Sequence, residues 1–293
     1  FAFVLCLLFA RPLVALVRFA GQDDLYSHIL LIPFISAYLL WIQRDQPPFE
    51  SARFSRWAAL PLLAGLAVQG VYCTWFKDIG LDSPNDFLFF QTLSFVLFLI
   101  AGVLGCFGLP LVRARAFPIA FLFFLVPFPW CVEQALEWMS QHASAQATAW
   151  LFMLTGTSVA RDGMMFHLPG ITIQVAQECS GIRSSFVLFI VSLVAGHLFL
   201  TQRRHRIWLA LLVIPLGILR NGIRIVTIAL LCVHIDSSMI TSPIHRQGGP
   251  VFFALSLIPF FALLLWMRKV ETKAGNNAAP SPDAHPAPSS FNT

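Results

Sequence analysis

Cysteine, arginine and histidine occur in three short polar stretches of an otherwise hydrocarbon-rich chain, and together they have the chemistry to open an acyl bond. The first stretch is Gln177-Glu178-Cys179-Ser180-Gly181-Ile182-Arg183-Ser184-Ser185, at the lip of the apolar run Phe186 to Leu200. Polar side chains at the edge of a membrane span are costly to keep there, which points to function. Cys179 precedes a predicted helix, whose N-terminal partial positive charge stabilises a thiolate. Arg183, one turn on, adds a cation on nearly the same face, while Glu178 works against both. The second stretch is Arg220-Asn221-Gly222-Ile223-Arg224-Ile225, and the third is Ile244-His245-Arg246-Gln247-Gly248-Gly249. A histidine at the height of the thiolate can pair with it and later protonate a leaving amine. An arginine can orient a substrate carbonyl or stabilise the oxyanion that develops on it.

Membrane helices must position these residues. Of the 293 residues, 57% are hydrophobic and only 11% charged, and the mean hydropathy is +0.75. That composition excludes a soluble globular domain and predicts an all-α polytopic membrane protein. About eight spans are expected, over 1–17, 25–42, 57–76, 87–108, 116–131, 180–202, 207–228 and 250–267. The chain begins at Phe1 without methionine, so the N-terminus is expected to be truncated. Between the fifth and sixth spans lies a more polar stretch, 132–178. Its first half, Glu133 to Thr155, reads as an amphipathic interfacial helix with Leu136, Met139, Ala143 and Ala147 on its apolar side. Its second half carries turn signals, Arg161-Asp162-Gly163 and Leu168-Pro169-Gly170, around Met164–Leu168 and Ile171–Val175, which predicts a short hairpin. The integral-membrane unit is expected over 1–270. A cytoplasmic tail follows over 271–293, whose Ala/Pro/Ser/Asn-rich composition from Ala274 predicts disorder.

The net charge of +5 alone is compatible with a nucleic-acid partner, but the placement of the cations speaks for topology instead. Arg44, Arg53 and Arg56, then Arg113 and Arg115, then Arg203, Arg204 and Arg206, and finally Arg268, Lys269 and Lys273 fall on alternate sides of the predicted spans. All then face the cytoplasm. Asp23, Asp24, Asp78, Asp82, Asp86, Glu133, Glu137, Asp162 and Asp236 fall on the opposite side, together with the 132–178 stretch and Cys179. At about 1.5 Å per residue, Cys179 lies about 36 Å above Arg203, His245 about 34 Å above Arg268 and Arg224 about 27 Å above Arg206, against a hydrocarbon core of about 30 Å. The three converge near the outer surface on straight helices; Pro215 and Gly217 are the candidate kinks. Arg220, about 21 Å above the same anchor, sits deeper. Arg224 is therefore assigned to catalysis, with Arg220 and Asn221 supporting it.

Simpler readings cover the remaining polar residues. Cys6, Cys73, Cys106, Cys131 and Cys232 read as small buried hydrophobes. No C-x-x-C pair occurs among the six cysteines, so neither a zinc knuckle nor a disulfide framework is expected. His28, His167 and His234 read as structural. His234-x-Asp236 with His245 and Cys179 has irregular ligand spacing, and no metal or other cofactor is expected. Arg183 has two readings, support for the Cys179 site or a structural role as helix anchor or lipid-phosphate contact.

The pattern resembles the exosortase/archaeosortase family of membrane-embedded cysteine transpeptidases, specifically the bacterial exosortases. The residues that carry it are Glu178-Cys179-Ser180-Gly181-Ile182-Arg183-Ser184, Asn221-Gly222-Ile223-Arg224-Ile225 and His245-Arg246-x-Gly248-Gly249. Tyr26-Ser27-His28, Ile35-Ser36-Ala37-Tyr38-Leu39-Leu40-Trp41, Val126-Pro127-Phe128-Pro129 and Arg161-Asp162-Gly163 extend it over most of the chain. Ile29 stands where the family has glycine. The resemblance implies Cys179, Arg224 and His245 as the catalytic set. It implies recognition of a C-terminal sorting signal, a Pro-Glu-Pro motif followed by a transmembrane helix and basic residues, at the outer face of a bacterial inner membrane. It also implies a link to extracellular polysaccharide, with transfer of the acyl group to an acceptor. The expected partners are that signal and membrane lipid, with no nucleic acid. The competing function class is a polysaccharide transporter or assembly factor whose buried arginines bind an anionic substrate. Against it stand the lack of inverted repeats and the gathering of the candidates on one side.

Overall fold

The computed structural model describes residues 1–23, 25–44, 55–76, 84–175, 181–236 and 249–278. Inside hydrocarbon a chain must satisfy its own backbone groups, and long runs of Leu, Phe, Ile and Val do so as helices. The helices are α1 (Ala2–Leu8), α2 (Ala10–Gln22), α3 (Ile32–Ile42), α4 (Ala59–Val71), α5 (Pro84–Ala114), α6 (Ala116–Phe121), α7 (Trp130–Thr155), α8 (Ile182–Phe199), α9 (Arg203–His234) and α10 (Gly249–Ala278). One antiparallel sheet, β1 (Ala160–Asp162), β2 (Met165–Leu168) and β3 (Ile171–Gln174), lies between α7 and α8. The predicted hairpin is thus β2–β3, paired from Met165 with Gln174 to Leu168 with Ile171. A third strand, β1, joins it on the other edge of β2.

Among the described residues, five stretches are long and apolar enough to cross a membrane: Arg56–Thr74, Pro84–Ala114, Ile182–Phe199, Arg203–His234 and Gly249–Ala274. Two bent pairs, α1 with α2 at 76° and Ala116–Leu125 with α7 at 93°, bring the number to seven if each is one span. The chain is a multi-pass membrane protein, and its described residues provide up to seven of the eight expected spans. The shortfall lies at 25–42, where Ser27–Leu30 is a 3-10 turn and α3 has only 11 residues. That length rises about 16 Å, half of a hydrocarbon core. The expected straight span 116–131 also breaks. Val126, ahead of Pro127, is extended, as a residue before proline tends to be.

The chain divides into two compact units, Phe1–Ala143 with Val175–Arg183, and Ser144–Gln174 with Ser184–Thr293. In the first, α4 packs on α5 through Gly65, where a Cβ would lie 2.7 Å from the Phe98 ring. The Ser94 hydroxyl also donates to the Gly65 carbonyl. Ser36 of α3 donates to the Pro118 carbonyl, and Arg115 donates to the Leu40 carbonyl, tying α3 to α6. In the second unit, Leu188, Ala195, Leu200, Leu209, Val213, Phe260, Leu264 and Met267 form one apolar core among α8, α9 and α10.

The last helix departs from the expected tail. Helix α10 runs on to Ala278, past the expected start of the tail at 271. The Glu271 carboxylate accepts from the Thr201 amide and hydroxyl, both at 2.8 Å, and from the Gln202 amide at 3.0 Å. It also pairs with His205 Nδ1 at 2.7 Å. An acidic side chain on the free amides ahead of α9 satisfies donors that the helix itself cannot. Residues beyond Ala278 lie outside those described.

The small-cysteine reading needs correction at four of five positions. Cys232 is buried, whereas Cys6, Cys73, Cys106 and Cys131 are exposed. A spanning helix needs apolar side chains on its lipid face as much as inside the protein, so an apolar neighbourhood does not imply burial by the chain.

Candidate active site

Gly181 stands immediately before α8 with φ of 74°. This left-handed conformation is open to glycine at little cost, and it turns the chain sharply into Ile182, the first residue of the helix. Cys179, two residues upstream, and His245 lie outside the described residues. Arg183 occupies the first turn of α8 and is exposed. Helix α8 then continues as the apolar span the sequence predicts.

The middle of α9 gathers the remaining candidates. The helix runs through Pro215 to His234 as one element. Gly217 faces Ser185 so closely that a Cβ there would lie 2.5 Å from its hydroxyl oxygen. One turn on, the buried Arg220 donates from Nη2 to the same hydroxyl at 3.3 Å. Buried Asn221 donates from Nδ2 to Ser144 of α7 at 2.9 Å. At Gly222 a Cβ would meet Ala147 and Leu151 side chains at 3.2 and 3.1 Å. Small residues let membrane helices approach, and the hydroxyls that come with the approach satisfy polar groups hydrocarbon would strand. Arg224, a further turn along, is half-buried. Arg220 of α9 thus has a hydrogen-bond partner on α8, the Ser185 hydroxyl.

Ser144 was missed because the apolar stripe drew attention to the wrong face of α7. The expected side, Leu136, Met139, Ala143 and Ala147, includes Met139, which is exposed. In the second unit the buried side of α7 is instead Ser144, Ala145, Ala147, Thr148 and Phe152. Thr148 returns its hydroxyl proton to the Ser144 carbonyl at 2.7 Å. The signal available was small polar residues at i and i+4, a pattern suited to close helix contact in lipid.

A second polar cluster lies within the first unit. Tyr26, almost fully buried, donates from its hydroxyl to Glu133 Oε2 at 3.0 Å, and the Asn85 amide donates to the same oxygen. Asp86 accepts from the Trp130 amide at 3.0 Å, capping the start of α7. His28 pairs through Nδ1 with the Leu25 carbonyl at 2.9 Å, in keeping with its structural reading. Tyr26-Ser27-His28 is thereby fastened to the segment that follows Val126–Pro129. Among the described residues no group of three or more His, Cys, Asp or Glu side chains is arranged to hold a metal ion.

Comparisons with curated proteins and with solved structures returned no match. The family model described as transmembrane exosortase matches residues 20–281, a range that contains all three polar motifs and both clusters. With nearly its whole length matched, the chain belongs to the transmembrane exosortase family.

Proposed function

We propose that the protein is a cysteine transpeptidase that cleaves C-terminal Pro-Glu-Pro-type sorting signals of exported proteins. The reaction takes place at the outer face of the bacterial inner membrane and is linked to extracellular polysaccharide. Cys179 is the nucleophile, Arg224 the oxyanion or carbonyl donor and His245 the proton carrier; Arg183, Arg220 and Asn221 support them. His245 takes the thiol proton, and the thiolate attacks the scissile carbonyl carbon. The carbonyl oxygen becomes an oxyanion opposite the Arg224 guanidinium, a charged donor worth most where water is excluded. Collapse breaks the C–N bond, and His245 returns the proton to the departing amine. The thioester left on Cys179 is then opened by an acceptor nucleophile, which gives its proton to His245 as the thiolate leaves.

The observation that carries this reading is the family match over residues 20–281, which takes in Cys179, Arg224 and His245 together with their motif neighbours. The glycine turn into α8 and the hydroxyl-held polar residues of α9 are compatible with it. The test is cleavage of a tagged substrate ending in Pro-Glu-Pro, an apolar span and a basic cluster. Cys179→Ala, at normal abundance in the membrane, is expected to lose several orders of magnitude in rate, roughly the loss seen when a covalent nucleophile is removed. Cys179→Ser is expected to be nearly as inactive, since a hydroxyl stays protonated where a thiol ionises. Processing by Cys179→Ala at about a tenth of the normal rate would exclude covalent catalysis at this position.

A further inference from the structure

Helix α2 begins after a 76° bend from α1 and carries charge where its neighbour carries none. Arg11, Arg18 and Gln22 recur at intervals of seven and four, so they share one face of the helix. That face lines an open groove of about 680 Å³ within the first unit, completed by Phe19 and by Phe87 and Leu88 of α5. The groove therefore has two cations and an amide along an apolar floor. Arg11 and Arg18 are both exposed, and among the described residues neither has a carboxylate partner. Of the described acids nearby in the chain, Asp23 accepts from the Leu25 amide and Asp86 from the Trp130 amide. Most of the groove's α2 residues, Arg11 and Arg18 included, precede the stretch matched by the family model.

We propose that this groove binds an anionic glycerophospholipid, with its headgroup phosphate on the Arg11–Arg18 face and an acyl chain along Phe19, Phe87 and Leu88. Guanidinium groups grip phosphate oxygens through paired, charge-assisted donors, and the Gln22 amide adds a neutral donor on the same face. An uncharged apolar ligand would leave both arginines without a partner, and a zwitterionic headgroup would bring a cation toward them. An amphipathic helix with basic residues on one face suits the level of the headgroups. The site is independent of the proposed cleavage reaction.

The test uses the full chain purified in detergent, with lipid binding followed by native mass spectrometry. Phosphatidylglycerol and phosphatidylcholine of identical acyl chains are compared on the unaltered protein, and phosphatidylglycerol is expected to bind about tenfold more tightly. Arg11→Gln and Arg18→Gln should each weaken phosphatidylglycerol about threefold, and the pair about tenfold, down to the level of phosphatidylcholine, whose binding stays as it was. The control Arg113→Gln, away from the groove, should keep the unaltered affinity. Inorganic phosphate alone should fail to displace the lipid. Equal binding of the two lipids to the unaltered chain overturns the proposal, and so does full selectivity in a folded double variant. Displacement by inorganic phosphate would make the groove a free-anion site and overturn its assignment to lipid. The comparison of the two lipids needs no substitution, so it decides even where the double variant does not fold.

Discussion

Arg220 and Arg224 stand one helical turn apart on α9, yet their surroundings differ sharply. Arg220 is buried and held by the Ser185 hydroxyl. Arg224 is half-buried, with part of its surface still accessible. A guanidinium spent on an internal hydroxyl suits support, whereas one still accessible suits a reacting carbonyl. If Arg224 grips substrate oxygen through its fork, a lysine that keeps only the charge is expected to restore little activity. Arg220→Lys should retain much more, because a single ammonium donor can serve one hydroxyl acceptor. The measurement is the ratio of cleaved to uncleaved tagged substrate, normalised to enzyme level. An active Arg224→Lys beside an inactive, well-expressed Arg220→Lys would reverse the two roles. The arginines themselves were legible in the sequence, since charge inside an apolar run is conspicuous. The partners of Arg220 and Asn221 were not: Ser185 is 35 residues from Arg220 and Ser144 is 77 from Asn221. No periodicity links such pairs.

At the scale of elements, α9 is fitted to its neighbours by what its glycines lack. A methyl group at Gly217 would have to displace Ser185, whose oxygen lies 2.5 Å from the Cβ position and whose own Cβ lies at 3.0 Å. Gly70, in α4, has nothing within 4 Å of the corresponding point. The two alanine substitutions therefore separate packing from helix propensity. Gly217→Ala is expected to cost about 1–3 kcal/mol through overpacking. Gly70→Ala is expected to be neutral or to gain up to about 1 kcal/mol. Thermal unfolding in detergent checks this, and matching midpoints for the two variants would mean that α9 does not approach α8 as closely as described. Helix existence was readable from hydropathy, because an apolar run of 18 or so residues has few alternatives in lipid. Helix ends and faces were not. Tyr26 and His28 were read as part of a span, but their side chains are fastened in a 3-10 segment by Glu133 and the Leu25 carbonyl. Likewise Glu271, placed at the start of the cytoplasmic tail, is held by four donors around the start of α9.

For the whole molecule, the distribution of charge within each unit bears on orientation. In the first unit, α5 begins beside the Tyr26–Asn85–Glu133 cluster and Asp86, and it ends at Arg113. In the second, the Glu271 contacts with Thr201 and His205 gather Arg203, Arg204, Arg206, Arg268 and Lys269 at one end of α9 and α10. Apart from Arg11 and Arg18, which line the groove beside the start of α5, cations gather at one end and acids at the other, the pattern that cytoplasmic retention of Lys and Arg produces. Exposed apolar side chains such as Leu62, Leu63, Leu66, Leu255, Ile258 and Leu265 cover the flanks between these ends, as a lipid-facing surface requires. The basic ends are therefore expected in the cytoplasm and the sheet outside. To test this, the native cysteines are replaced by alanine and single cysteines are introduced one at a time. Those at Ser140 and Ser158 should react with an impermeant maleimide added to intact cells stripped of outer membrane. Those at Ala114 and Thr272 should react only after permeabilisation. Removal of the native thiols matters because Cys6, Cys73, Cys106 and Cys131 are exposed and would label in their own right wherever water reaches them. Labelling of Thr272→Cys from outside, with Ser158→Cys protected, would invert the molecule. The segment leading into Cys179 would then face the cytoplasm, out of reach of exported substrates.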